Sequence, residues 1–581
     1  METKTPTMFI FLLLFILNLS SSICEASDDN SVHTMFLDCL SKETNQQISN
    51  IVYSQSNPSY TSILRAYIRN ARFNTSSTLK PTIIVTPESE SHVQATVVCA
   101  KKLGFQLKIR SGGHDYEGIS YVSDTPFLIL DMFNLRTITV DVENQSAFVQ
   151  SGATLGELYY KIWEKSKVLG FPAGVCPTVG VGGHFSGGGY GNMLRKFGLS
   201  VDHIFDAQIV DVNGRILDRK SMGEDLFWAI KGGGGASFGV VLSYSINLVP
   251  VPEKVTVFRI EKTIEENATD LVYKWQSVAP TIDNDLFLRL LLQPVTSKIN
   301  KGQKTVRASV IAMYLGNAEA IVGLLGKEFP EMGLKIEDCI ETTWIDSMVW
   351  WANYDNGTSP TVLLDRNPDS ANFLKRKSDY VQTPISKQSL EWIWKKMIEQ
   401  GKVGFVFNSY GGRMSEIPET ETPFPHRKGN LFKIQYSVNW QEEGADALKN
   451  YLNQAKMLYS YMTPFVSKNP RSAYLNYRDL DIGVMPKGGN DINAGRVYGE
   501  KYFGVNFDRL VKVKSDVDPQ NFFRNEQSIP TLPSYLTCSA VVVLLLVNAE
   551  IPYSGATSGK WVPVLSAIKL MGPLIWLLGL G

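Results

Sequence analysis

The chain of 581 residues has no net charge, with 57 Lys and Arg against 57 Asp and Glu. That balance excludes the broad electropositive surface that nucleic-acid binding needs, so no nucleic-acid partner is expected. Histidine and cysteine are scarce, six of each, and they are scattered without a Cys-x-x-Cys pair or a histidine cluster. A structural or catalytic zinc site is therefore not expected, and no metal ligand is assigned. The G-x-G-x-x-G fingerprint of a Rossmann dinucleotide site is missing as well. So are internal repeats and the low hydrophobicity of disordered chains, since 44% of the residues are hydrophobic and 20% charged. What remains is a globular chain too long for one core, for which two or more domains are expected.

The first residues read as an address. Lys4 precedes an apolar run from Met8 to Leu17, and small polar residues lead to a cleavage point after Ala26. This is the three-part pattern of a signal peptide, residues 1–26, and its apolar run is short for a membrane span. Sequons follow at Asn74, Asn144, Asn267 and Asn356, as on a glycosylated secreted surface. Cys24 leaves with the signal. In an oxidising compartment Cys39 and Cys99 are the disulfide candidates; with Cys538 in the atypical tail, that leaves Cys176 and Cys339 to be explained. Residues 531–581 form an atypical apolar tail. Ala540–Val547 is brief, and Trp561–Leu580 is broken by Pro563, Lys569 and Pro573. A membrane or lipid anchor there, with attachment near Ser554–Ala556, is the weaker reading.

Residues 82–252 alternate strand and helix patterns. Thr82–Val85, Gln106–Ile109 and Phe127–Asp131 read as strands, and Ser91–Leu103 and Glu224–Ile230 as helices. Ala207–Leu217 reads as a hairpin on a two-residue type I′ turn at Asn213-Gly214. From about 255 glycine thins and long helical patterns appear, at Lys387–Gln400 and Glu443–Tyr459. Lys433-Ile-Gln-Tyr-Ser-Val-Asn439 alternates with the strand period, putting Lys433, Gln435 and Ser437 on one face. That face either lines a cavity or meets solvent.

Three glycine-rich stretches carry the chemistry. Arg110-Ser-Gly-Gly-His114 follows a strand and can offer its backbone N–H groups to a pyrophosphate. Gly174–Gly191 holds seven glycines between 180 and 191, interleaved with Cys176, His184 and Tyr190. Such a run is expected to be neither helix nor strand but a loop around a large flat or phosphorylated cofactor. Lys231–Gly239 is a third loop of close approach. Tyr474-Leu-Asn-Tyr-Arg-Asp479 sets two tyrosines beside a cation, where a phenol can act as a base.

Together, Arg110-Ser-Gly-Gly-His-Asp-Tyr-Glu-Gly118, Cys176-Pro-Thr-Val-Gly-Val-Gly-Gly-His184, Asn476-Tyr-Arg-Asp-Leu-Asp481 and Asp518–Pro530 resemble the plant berberine bridge enzyme-like family. The resemblance runs from about Cys39 to Pro530. It implies an α+β fold of the vanillyl-alcohol oxidase type, with a split FAD-binding domain and an antiparallel-sheet substrate domain. Residues 77–252 would form most of the FAD domain, 253–470 the substrate domain, and 471–530 a segment returning to the first. FAD would be bound twice, at its 8α carbon by His114 and at C6 by Cys176. Around it the resemblance places Arg110, Ser111, Gly112 and Gly113, then Thr178, Val179, Gly180, Gly183, His184, Gly187 and Gly188, and finally Gly239, Val240 and Asn476.

It also implies a mechanism. Tyr477 would take the substrate hydroxyl proton as hydride passes to flavin N5, Tyr190 and Lys433 would stabilise its anion, and Gln435 would orient the substrate. Val179 matches the position that controls oxygen access, and valine there is the oxidase type, with O2 reduced to hydrogen peroxide. The expected substrate is an alcohol or hemiacetal, such as a monolignol or an oligosaccharide. The alternatives are an alkaloid or cannabinoid-type oxidative cyclase and a non-catalytic secreted defence glycoprotein. The expected location is extracellular, in wall or apoplast, with the vacuole as alternative. Tyr498 stands where the family usually has Trp.

Overall fold

Phe127–Asp131 is buried along its whole length, as an apolar run at the centre of a parallel sheet must be. In the computed structural model, which describes residues 29–45, 48–367 and 371–533, Ile83–Val85 and Gln106–Arg110 flank it in parallel. Val52–Ser54 closes the sheet antiparallel. The crossover helix Glu90–Lys102 begins at Ser89, whose side chain accepts from the His92 N–H. Its Val93, Val97 and Ala100 share one core with Ile83, Val85, Leu128 and Leu130. The expected disulfide is present and ties Cys99 of this helix to Cys39 of the helix Asp29–Thr44. The signal-peptide residues, Cys24, Cys538 and the apolar runs of the tail lie outside the described residues.

A second, antiparallel sheet runs Ile138–Asp141, Ser146–Gln150, Val240–Asn247, Ile204–Val210, Ile216–Leu217. Its last hairpin corrects the expected type I′ turn. Gly214 N–H donates to the Asp211 carbonyl and only Gly214 has positive φ, at 77°. The cause is Asp211, whose carboxylate accepts from the N–H groups of Asn213 and Arg215, both at 2.9 Å, and holds Asn213 out of the left-handed region.

The third sheet has seven antiparallel strands, in the order Cys339–Thr342, Val255–Thr263, Lys304–Tyr314, Leu286–Thr296, Gly404–Ser409, Phe432–Trp440, Phe373–Val381. The period of two sorts its side chains. Leu288, Leu290, Ala308, Val310, Phe405, Phe407, Ile434 and Tyr436 enter a core with the helices Ala268–Val278, Lys387–Gln400 and Ala445–Tyr461. The opposite face is left for the site. The helix Lys387–Gln400 has its expected bounds, fixed by the Ser386 cap and Gly401 at φ 80°. The helix expected from Glu443 starts at Ala445, because Gly444 at φ 103° cannot join it. The one expected at Glu224–Ile230 extends back to Arg219, with a non-helical Gly223 inside.

Buried ions hold the segment after 470 to this sheet. Asp379 accepts from Arg471 and from the Tyr436 hydroxyl. Lys375 and Lys377 reach Asp479 at 2.8 and 2.6 Å, and Lys375 also meets Glu117. Among the described residues no helix is long and apolar enough to cross a membrane.

Candidate functional site

The glycine-rich loops, the uncovered face of the seven-stranded sheet and residues 474–478 enclose a cavity of about 460 Å³. That is the size of a cofactor or ligand site. Ser111, Gly112, Gly113 and His114 line it, with Cys176, Val179, Gly180, Gly183, His184, Gly187, Gly239, Asn476, Tyr190, Tyr477 and Gln435. The other expected residues lie behind the wall. Arg110 is fully buried and gives its guanidinium to Asp131 at 2.6 Å and to the carbonyls of Ile63 and Leu64, so it shapes the loop and does not touch the cavity. Gly188 and Val240 support the wall from outside it. Thr178 also stands behind the lining, with Oγ1 3.0 Å from His114 Nε2 and 3.8 Å from Cys176 Sγ. One hydroxyl thus bridges the two expected attachment residues. Burial, reinforced by the Arg69 charge, lowers the His114 pKa to about 3, so its imidazole is neutral and keeps a lone pair.

Close approach explains the glycines. A Cβ on Gly112 would stand 2.3 Å from the Gly180 nitrogen, so the first two loops touch backbone to backbone. A Cβ on Gly183, by contrast, would meet nothing within 4 Å. That open space in the cavity wall is a cradle for a flat group, and with Ser151 Oγ lining the cavity, buried and without a partner among the described residues, the residues fit FAD. The expectation that this stretch lacks regular structure is corrected, since Val181–Ser186 is a short helix. Gly182 permits it, because a Cβ there would lie 2.9 Å from the Ser151 carbonyl oxygen. The loop Lys231–Gly239 is pinned by Lys514, whose Nζ donates to the Ser237 carbonyl at 2.6 Å, the Phe523 carbonyl at 2.7 Å and Asp518 at 2.6 Å.

At the sheet end stand four tyrosines. The Tyr190 and Tyr477 hydroxyls are hydrogen-bonded to each other, and the Tyr477 ring centre is 5.2 Å from Tyr474 and 5.6 Å from Tyr116. Lys433 Nζ lies 3.1, 4.1 and 4.4 Å from the ring centres of Tyr190, Tyr474 and Tyr477 and has no hydrogen-bond partner among the described residues. Lys433 is 0% exposed and Gln435 9%, so their strand face lines the cavity and is not a solvated surface. Lys433 itself sits behind the rings. Burial pushes the Tyr477 phenol well up and the Lys433 ammonium well down, the latter assisted by Arg289. Both shifts are costs of burial, and the placement of Lys433 Nζ against the Tyr190 and Tyr477 rings sets a cation donor beside the phenol it is expected to serve.

Among the lining residues that sequence reasoning does not assign, two bear on the chemistry, Tyr116 and Arg289. Gln435 Nε2 donates to the Tyr116 hydroxyl at 2.9 Å, and burial pushes the Tyr116 pKa up to about 12. Arg289 lines the cavity and donates through Nε to Asn408 Oδ1 at 2.9 Å. Tyr116 lay within a quoted motif, whereas Arg289 reaches the site only through strand register. Tyr498 is buried and donates to the Ser528 carbonyl at 2.7 Å, away from the cavity lining. The four sequon asparagines are all exposed. No group of three or more His, Cys, Asp or Glu side chains is placed to hold a metal ion among the described residues.

Comparison with known proteins agrees with this geometry. Residues 81–219 match the family described as FAD binding domain, and residues 473–530 the one described as Berberine and berberine like. Berberine bridge enzyme-like 19 of Arabidopsis thaliana is 63% identical over 540 residues, 92% of this chain and 94% of that protein. The crystal structure of Phl p 4, a grass pollen allergen with glucose dehydrogenase activity, superposes with a TM-score of 0.80 at 44% identity, over 86% of this chain and 99% of that one. Berberine bridge enzyme from Eschscholzia californica gives 0.80 at 39% identity, with the same coverage of each chain.

Proposed function

This chain belongs to the berberine bridge enzyme-like family, FAD-linked oxidoreductases with an α+β fold of the vanillyl-alcohol oxidase type, and we propose that it is a secreted oxidase of alcohols or hemiacetals. His114 and Cys176 are the residues that would bond FAD. Their shared contact with Thr178 and the neutral imidazole support a double attachment. FAD, when bound, supplies a two-electron acceptor that O2 reoxidises with release of hydrogen peroxide.

The observation that carries the reading is the hydroxyl pair of Tyr190 and Tyr477, in the same cavity as His114 and Cys176 and with Lys433 against the rings. Tyr477 as its anion takes the proton of the substrate hydroxyl, and the Tyr190 hydroxyl and Lys433, set against the same rings, stabilise that anion. Gln435 and Tyr116 form the polar wall against which a hydroxyl-bearing substrate is oriented. Val179 lines the cavity beside the attachment residues, where its small size leaves room for O2. The disulfide and the exposed sequons support an extracellular location.

The test is peroxide release from the purified protein with primary allylic alcohols, reducing sugars and benzylisoquinolines. Turnover of the first two classes is expected. Turnover of the third alone would move the chain to the oxidative cyclases.

A further inference from the structure

Three neighbouring strands of the seven-stranded sheet place Arg289, Asn408 and Lys433 at one register. Arg289 pairs with Asn408, and Asn408 pairs with Lys433. Residues paired in this way project from the same face of a sheet, so the three side chains form a row on the face that meets the cavity. Asn408 stands in the middle, 0% exposed, with Arg289 on one side and Lys433 on the other.

Its contacts fix its orientation. Arg289 Nε can only donate, so the oxygen of the Asn408 carboxamide must face it, as the 2.9 Å contact shows. The nitrogen is thereby turned away from Arg289, and it has no hydrogen-bond partner among the described residues. The guanidinium also lies over the Trp351 ring, 4.9 Å from the centroid. With a ring and a carboxamide oxygen as neighbours, Arg289 is held in the cavity wall.

We propose that Asn408 is a positioning residue for proton transfer: it fixes the Arg289 charge near the Tyr190–Tyr477 pair and separates it from Lys433 without neutralising it. A carboxylate in the same place would form an ion pair with Arg289 and cancel the charge that the site uses. A neutral amide holds the cation and leaves its field intact. That field favours the anion of Tyr477, the form that accepts a proton. The other groups that face the pair are Tyr116, Tyr380, Tyr474 and Arg376 for Tyr477, Tyr410 for Tyr190, and His184 and His426 for Lys433. The tyrosines and histidines among them are neutral when buried, so Arg289 and Arg376 are the guanidinium charges here.

This inference rests on the reading of Tyr477 as the base, and the experiment separates the two. Flavin reduction is followed anaerobically against pH in the holoenzyme, with D-glucose, cellobiose and coniferyl alcohol as probes. Wild type is compared with Asn408→Asp, Asn408→Ala and Tyr477→Phe. Asn408→Asp is nearly isosteric and keeps an acceptor for Arg289, so it preserves the packing while adding a negative charge. Its acidic limb should move up by about one pH unit, because the carboxylate makes Tyr477 harder to ionise. Asn408→Ala should move the limb the same way by less, since Arg289 is released but not neutralised. If both limbs coincide with that of wild type while Tyr477→Phe is inactive, Asn408 is merely structural and the proposal fails alone. If Tyr477→Phe is reduced at the wild-type rate, or no probe reduces wild type, the base reading fails and takes the proposal with it.

Discussion

Lys433 Nζ sits 3.1 Å from the centre of the Tyr190 ring, fully buried and without a hydrogen-bond partner among the described residues. Burial disfavours the Lys433 ammonium and the Tyr477 phenolate when each is taken alone, and setting the amine against the tyrosine rings offsets part of both costs. If Tyr477 is the base, flavin reduction should gain with rising pH as its raised phenol gives up its proton.

Lys433→Met removes the amine set against the tyrosine rings and leaves only a phenol whose pKa burial has raised. Flavin reduction at neutral pH should fall by about 10²–10⁴-fold, the usual worth of a general base, and should recover only toward high pH. Stopped-flow reduction against pH checks this. A neutral-pH rate within a factor of three of wild type (about 0.7 kcal/mol) would remove Lys433 from the proton path.

Gly180→Ala should yield protein that lacks flavin. The added Cβ would lie 2.1 Å from Ser111 Oγ and 2.3 Å from the Gly112 nitrogen, and only the hydroxyl can rotate away. The loops must separate, at a cost of about 1–3 kcal/mol for overpacking. Flavin absorbance per mole of protein is the measure, and full occupancy would show that the two backbones need not touch.

How much of this was legible in the sequence divides along the range of the interactions. The cofactor loops could be read because glycine is costly unless backbones or ligands come close, and Gly112 and Gly180 show the contact that requires it. Alternation placed Lys433 and Gln435 on one face but could not say what covers that face, since the covering residues lie at 116, 190 and 474–477. Arg289 and Asn408 belong to ordinary-looking strands and gain their meaning only from register between strands over a hundred residues apart. The helix Val181–Ser186 was missed because glycine propensity argues against it, and packing against Ser151 overrode that preference.

Val179→Ile should slow reoxidation of the reduced enzyme by air while leaving reduction by substrate unchanged. Val179 lines the cavity, and an added methylene in its wall narrows the path of O2. A slowing of about tenfold or more corresponds to about 1.4 kcal/mol, and unchanged reoxidation would show that O2 arrives elsewhere.

The fold should weaken in acid through histidines that stay neutral when buried. His184 and His426 have pKa values lowered to about 3 by burial, against 6.5 for an ordinary histidine. Below pH 6.5 the unfolded chain binds protons that the folded one refuses, so stability falls from there down to about pH 3. Each group contributes about 1.4 kcal/mol per pH unit in that window. Denaturant midpoints measured from pH 7 to 4 should fall steadily, and more shallowly in His426→Gln. Identical slopes in the two proteins would exclude His426 from the effect.

The double attachment through His114 and Cys176 is tested most directly by the intact mass of the acid-denatured protein. Wild type should carry the mass of one FAD and stay yellow after precipitation. His114→Ala and Cys176→Ala, taken singly, should each keep the flavin, and the double variant should release it. A colourless wild-type precipitate whose mass equals that of the polypeptide alone would contradict the account.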